Sequence, residues 1–192
     1  MSDNSSILGI DYGGRTKGTV ALAWLKEDLI CAYQCSIKED ADVYINQFIV
    51  DNKIKLVAID APLSLPIVYT NKKLGNDYHY RKADRETKAM SPLFIGGFTA
   101  NAMSFRAQNE NIKFIETFPS HFLRIMEIKK PKGDYNATIN LILKKLNYKF
   151  KLNNIVETPH QFDAICCLLS GIRYTEKIAL CFGDELEGQI FI

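Results

Sequence analysis

Three carboxylates stand where short apolar runs end. Asp11 follows Ile7-Leu8-Gly9-Ile10, Asp60 follows Leu56-Val57-Ala58-Ile59, and Glu116 follows Phe114-Ile115. A fourth, Asp163, lies one turn into the most apolar helical segment, among Phe162, Ala164, Ile165, Cys166 and Cys167. Adjacent parallel strands bring their C-terminal ends to one sheet edge, where the sites of open α/β folds gather. Carboxylates crowded at such an edge repel, and each is costly to hold ionised unless a cation neutralises it. Hard oxygen ligands completed by water suit Mg²⁺ or Mn²⁺. Two such ions ~3.5–4 Å apart would activate a water and stabilise the leaving oxygen in phosphodiester cleavage. Each acid also has a plainer reading. Asp60 before Ala61-Pro62 can initiate a turn, Asp163 suits a helix dipole, and Asp11 before Tyr12-Gly13-Gly14 can be a hairpin residue. Turn chemistry, however, does not require all of them beside apolar core segments.

The elements that must position these acids read as α/β. Ile7–Asp11, Gly18–Leu25 and Leu29–Ile37 are three strands joined by short turn-rich connections, so they are antiparallel neighbours. Apolar residues at 43, 45, 48 and 49 predict a helix over 42–50, and Lys55–Asp60 then returns as a buried strand parallel to the first. Residues 61–94 are loop-rich around a polar helix, Tyr80–Ala89. A helix over 97–108 follows, then a fifth strand at Lys113–Glu116. Pro119 opens a helix to about Ile128, and Ile139, Ile142, Leu143 and Leu146 form one stripe of a helix over 136–146. Thr158-Pro159-His160-Gln161 combines an N-cap Thr, a first-position Pro and a Gln three after the cap, and opens a helix to about Tyr174. Gly188–Ile192 can add a last strand. The order is β-β-β-α-β, an insertion at about 61–111, then β-α-α-α, within one domain spanning 1–192.

Composition narrows the class. The chain has 192 residues, 47% hydrophobic, with 21 aromatic side chains, which excludes disorder and needs no disulfide or metal to staple the core. No apolar run approaches the ~20 residues of a membrane span. The polar, acidic start and five cysteines point to a reduced, cytoplasmic protein. The net charge of +2 is too small to mark a nucleic-acid binder as a whole. Yet residues 129–151 hold seven lysines against one acid, a block that could follow a phosphate backbone or simply be a solvated helix face with its loops.

Other motifs do not carry chemistry. Gly13–Thr19 lacks the Gly-Lys-Ser/Thr ending of a P-loop. Cys31, Cys35 and the Cys166-Cys167 pair lack zinc-finger spacing and read as buried structural thiols. Ser120 and His121 are neighbours on a helix and do not face each other. His79 reads as solvated. Arg81, Lys82 and Arg85 alternate with acids, as on a salt-bridged surface helix.

The opening segment Ile7 to Gly14, with Arg15, Gly18 and Ala21, resembles the first hairpin of RNase H-like nucleases, including YqgF-type ribosomal-RNA processing enzymes. His160-x-x-Asp163-Ala164 resembles the last metal-binding helix of RuvC-type Holliday-junction resolvases. A resemblance to domain-of-unknown-function family 429 covers nearly the whole chain. It runs through Val57 to Pro66, Arg81-x-x-Asp84-Arg85, Glu116-Thr117-Phe118-Pro119, His160 to Ala164 and Glu187-Gly188-x-Ile190. That family is described as predicted nucleases. The resemblance implies an RNase H-like fold, with a mixed sheet of three antiparallel strands followed by parallel ones, helices on its faces and an insertion after the fourth strand. It implies a Mg²⁺ or Mn²⁺ site from Asp11, Asp60 and Asp163, with Glu116 and His160 as extra ligands or water-orienting groups. Arg15, Lys17, Arg81 and Arg85 are the candidate contacts to a nucleic-acid substrate. The Gly-Ile-Asp-x-Gly opening is shared with sugar kinases. An ATP-Mg-dependent phosphotransferase of the actin/hexokinase type, with Gly13-Gly14 on the phosphates, therefore stays open, as does a catalytically silent binding module.

Overall fold

Alternating inward residues on β1 (Ile7–Asp11) split its side chains between two apolar layers, and the rest of the molecule is arranged around that split. The computed structural model describes residues 4–192. Strands β2 (Ala21–Lys26) and β3 (Leu29–Gln34) follow as an antiparallel meander, with Leu8 opposite Trp24 and Asp11 opposite Ala21. Helix α1 (Ala41–Asp51), capped by the Asp40 carboxylate, crosses over to β4 (Leu56–Asp60), which lies parallel to β1. The insertion then holds α2 (Lys82–Thr87) and α3 (Gly96–Ala107) before β5 (Lys113–Glu116) pairs parallel with β4. Helices α4 (Pro119–Ile125) and α5 (Tyr135–Lys145), strand β6 (Lys151–Leu152), helix α6 (Pro159–Thr175) and the hairpin β7 (Cys181–Asp184)–β8 (Gly188–Phe191) complete the chain. Among the described residues the strands form one sheet in the order β6-β3-β2-β1-β4-β5-β8-β7.

The expected elements are all present, with ends displaced by a few residues. The second strand starts at Ala21 rather than Gly18, and α2 is shorter than expected at both ends. Strands β6 and β7 were not foreseen; each is short and lies at an outer edge of the sheet.

One face of the sheet presents Ile7, Ala23, Leu56, Ala58 and Ile115 to α4, α5 and α6, and the other presents Leu8, Ile10, Val57 and Ile59 to α1 and α3. Helix α6 is the central support. Its cap is as expected: the Thr158 hydroxyl accepts the Gln161 N–H, and the Gln161 side chain reaches back to the Thr158 N–H. It presses directly onto the backbone of β1 because Gly9 has no side chain. A Cβ there would lie 2.3 Å from the Leu168 nitrogen and 2.4 Å from the Ala164 oxygen. This close approach sets the first turn of α6, with Asp163, beside the C-terminal end of β1.

Candidate active site

Two of the aspartates are brought together by strand register alone. Asp11 and Asp60 are paired residues at the ends of the parallel strands β1 and β4. The third arrives on α6: Asp163 is 8% exposed and close enough for its charge to act on Asp60. His160, one turn earlier on α6, lies on the same helix face and donates from Nδ1 to Asp11 Oδ2 at 2.8 Å. Asp11, Asp60, Asp163 and His160 therefore occupy one neighbourhood.

A residue that the sequence did not single out completes it. Lys130, in the loop between α4 and α5, places its Nζ 2.6 Å from Asp163 Oδ2. It belongs to the lysine block read as a possible backbone-following surface. The only available signal was its place in Lys129-Lys130-Pro131-Lys132, which does not say which lysine turns inward.

The electrostatics follow from this crowding. Burial, reinforced by the charges of Asp11 and Asp163, pushes the Asp60 carboxyl well above the usual carboxylate range. Burial also raises Asp163, with Lys130 opposing the shift. The bond to Asp11 raises His160, against partial burial. Partial burial works against the Lys130 charge, but the bond to Asp163 outweighs it and holds the ammonium above its ordinary value.

Among the described residues, the buried Asp163 Oδ1 has no hydrogen-bond donor. A buried oxygen without a donor is uncommon in a native protein and calls for an explanation. Among the described residues, no three His, Cys, Asp or Glu side chains are already drawn together as a finished metal cage. A recess of about 270 Å³ opens beside Asp60, lined by Tyr12, Gly13, Ala61, Pro62, Ile95 and Phe98.

Glu116 has a different task from the one expected. Its carboxylate faces Arg81, accepting from Nη1 at 2.7 Å and Nη2 at 2.6 Å, and it also accepts the Leu63 N–H at 3.0 Å. Arg81 gives its remaining donors to Asp84 Oδ2 (3.1 Å), Asp84 Oδ1 (2.6 Å) and Ser64 Oγ (2.8 Å). All five guanidinium N–H groups are engaged, and the residue is 0% exposed. The expectation of a surface arginine on a substrate phosphate is thus corrected. Arg81 precedes α2 and is enclosed, and its pairing engages Glu116, expected as an extra ligand or water-orienting group, in a clamp. Glu187 extends the clamp to β8, accepting the N–H groups of Ile67 and Lys82, while its carbonyl accepts the Ser64 hydroxyl. Gly188 fits only as glycine: φ is 105°, and a Cβ would lie 2.2 Å from Ser64 Oγ.

The other cationic candidates are at the surface. Arg15 pairs with Asp40 and, at 3.6 Å, with Asp42. Arg85 pairs with Asp77 at 2.5 Å, as on the salt-bridged surface expected. Lys17 is exposed and makes no ion pair among the described residues. The Gly13-Gly14 turn is closed on itself. The Gly14 N–H goes to Thr19 Oγ1 at 2.8 Å and its carbonyl accepts the Lys17 N–H, which is not an open row of amides for a nucleotide phosphate.

Three antiparallel strands, then two parallel ones reached through helices, in the order β3-β2-β1-β4-β5, are the arrangement of an RNase H-like fold. No family model and no curated protein sequence matches the chain. Among solved structures, the chain is similar to RuvC of T. thermophilus in complex with a Holliday junction substrate. That match has 13% identity and a TM-score of 0.46, and covers 89% of this chain and 94% of that one. A second Thermus thermophilus RuvC structure is 12% identical at a TM-score of 0.46, covering 90% and 96%. No described helix is long and apolar enough to cross a membrane.

Proposed function

We propose that this protein is a metal-dependent phosphodiesterase that cleaves nucleic acid, with Mg²⁺ or Mn²⁺ held by Asp11, Asp60 and Asp163. The observation that carries the reading is the buried Asp163 Oδ1, which has no donor among the described residues, beside an Asp60 carboxyl that the charges of Asp11 and Asp163 push upward. Hard oxygens left unpaired at a sheet edge are the donor set that a hard divalent cation takes. When bound, such an ion would supply charge stabilisation and an activated water for phosphodiester hydrolysis.

The chain's own residues do the rest. Asp11 holds the His160 imidazole by Nδ1, leaving Nε2 to accept or deliver a proton at the rim. Lys17 and the partly exposed Arg15 stand in the turn that leaves β1 and can hold substrate phosphates. The chain's location in the cytoplasm is part of the same proposal. A reading as an ATP-dependent phosphotransferase receives no support from the closed Gly13-Gly14 turn.

The test is incubation of the purified protein with Mn²⁺ and a panel of single-stranded, duplex and branched DNA and RNA. Cleavage that requires Mn²⁺ and is lost in Asp163→Asn is expected. A protein that cuts nothing in the panel and whose melting temperature does not respond to Mn²⁺ would overturn the proposal.

A further inference from the structure

Lys130 changes what the carboxylate cluster can accept. Three aspartates bring three negative charges to the ends of β1 and β4 and the first turn of α6. The Lys130 ammonium, 2.6 Å from Asp163 Oδ2, already balances one of them. With the three aspartates ionised and His160 neutral, what remains is the charge of a single divalent ion. Asp163 Oδ2 is taken by Lys130 and Asp11 Oδ2 by His160, and among the described residues the buried Asp163 Oδ1 is left without a donor. A second divalent ion in that neighbourhood would have to displace a bonded ammonium or sit against an excess of positive charge.

The loop geometry supports a dedicated role for this lysine. Lys129 and Lys132, its neighbours on either side of Pro131, make no ion pair among the described residues, whereas Lys130, its side chain still 45% exposed, reaches Asp163. Glu127 in the left-handed region (φ 52°) turns the chain at the end of α4, and Pro131 then restricts the backbone directly after Lys130. A surface lysine needs neither device to be solvated.

From these contacts we infer that the site holds one divalent ion, and that Lys130 serves as a built-in cation in place of a second. The inference rests on the metal-dependent reading above and specifies its stoichiometry. Its bond to Oδ2 leaves Oδ1 as the oxygen of Asp163 without a donor among the described residues.

The experiment is Mn²⁺ binding measured by isothermal titration, with free Mn²⁺ counted by electron paramagnetic resonance. It uses the full chain, Lys130→Met, Lys130→Arg and the control Lys129→Met. The full chain, Lys130→Arg and Lys129→Met are expected to bind one Mn²⁺ per chain. Lys130→Met, freed of the ammonium, is expected to bind a second ion, or the first at least tenfold more tightly. Lys130→Gln serves if the Met variant does not fold. Two ions on the full chain, unchanged in Lys130→Met, would overturn the inference while leaving the phosphodiesterase reading intact. One ion with identical affinity in both proteins would overturn the role of Lys130. No Mn²⁺ bound by either protein would overturn the inference and the reading beneath it together.

Discussion

Arg81 and Glu116, 35 residues apart, meet through two parallel hydrogen bonds of 2.7 and 2.6 Å with the guanidinium shielded from solvent. The pair ties the start of α2, and with it the insertion, to the end of β5. Glu116→Gln leaves Arg81 with the Asp84 carboxylate but replaces one charged acceptor by an amide N–H facing a guanidinium donor. Stability should therefore fall by about 1–3 kcal/mol in denaturant melts, the cost of a buried group left without its partner. The Mn²⁺-induced rise in melting temperature should persist, because Glu116 is engaged in the clamp. Loss of the Mn²⁺ response with little change in stability would place Glu116 in the metal site instead.

Asp60→Asn tests the opposite case. The substitution keeps the size of the side chain and its capacity to cap a turn, but removes a buried charge that two neighbouring carboxylates repel. The metal-free melting temperature should stay level or rise. Mn²⁺ binding should weaken by at least tenfold, and metal-dependent turnover should fall with it. A melting temperature several degrees lower with an intact Mn²⁺ response would make Asp60 a turn residue only.

Gly9→Ala probes how α6 delivers Asp163. The added Cβ would lie 2.3 Å from the Leu168 backbone, where no flexible side chain can yield. The helix must shift away from β1, at a cost of about 1–3 kcal/mol, the usual range for overpacking. Mn²⁺ affinity should fall as well, although no candidate ligand has been changed. Unaltered stability and affinity would show that α6 does not depend on this contact.

His121 predicts a pH dependence outside the site. Both ring nitrogens are buried without hydrogen-bond partners among the described residues, and the ring packs edge-on against Phe182 at 4.7 Å. Burial, with help from Arg124, pushes its pKa below the ordinary value. The unfolded chain then binds the proton more readily, so stability attributable to this residue declines as pH falls through about 6.5, the unperturbed value. His121→Phe should melt higher than the natural protein, by a margin that grows from pH 7.5 to pH 5. A margin independent of pH would remove the titration from the account.

Much of this was legible because neighbouring residues carry it. The turn chemistry after Asp11 and at Glu27-Asp28 gives the antiparallel meander, and a helix between β3 and β4 makes β4 parallel to β1, which pairs Asp11 with Asp60. The cap at Thr158 fixes the start of α6, so His160 and Asp163 must share a face. What stayed hidden depends on partners distant in sequence. Nothing in Arg81-Lys82-Ala83-Asp84-Arg85 reveals that Glu116 will enclose the first arginine, nor which lysine of the 129–132 run reaches Asp163. Strands β6 and β7 escaped because two and four residues are too few to display alternation.

The Lys130–Asp163 pair has a consequence for how the chain comes into being. Metal sites built of unbalanced ligands often leave the polypeptide dependent on its ion, so that a chelator unravels it. Here an amino acid delivered by the ribosome already pairs with Asp163, and His160 engages Asp11. Folding is thereby uncoupled from the supply of divalent ions. On the metal-dependent reading proposed above, the protein should refold fully in EDTA and take up a divalent ion afterwards without rebuilding its core.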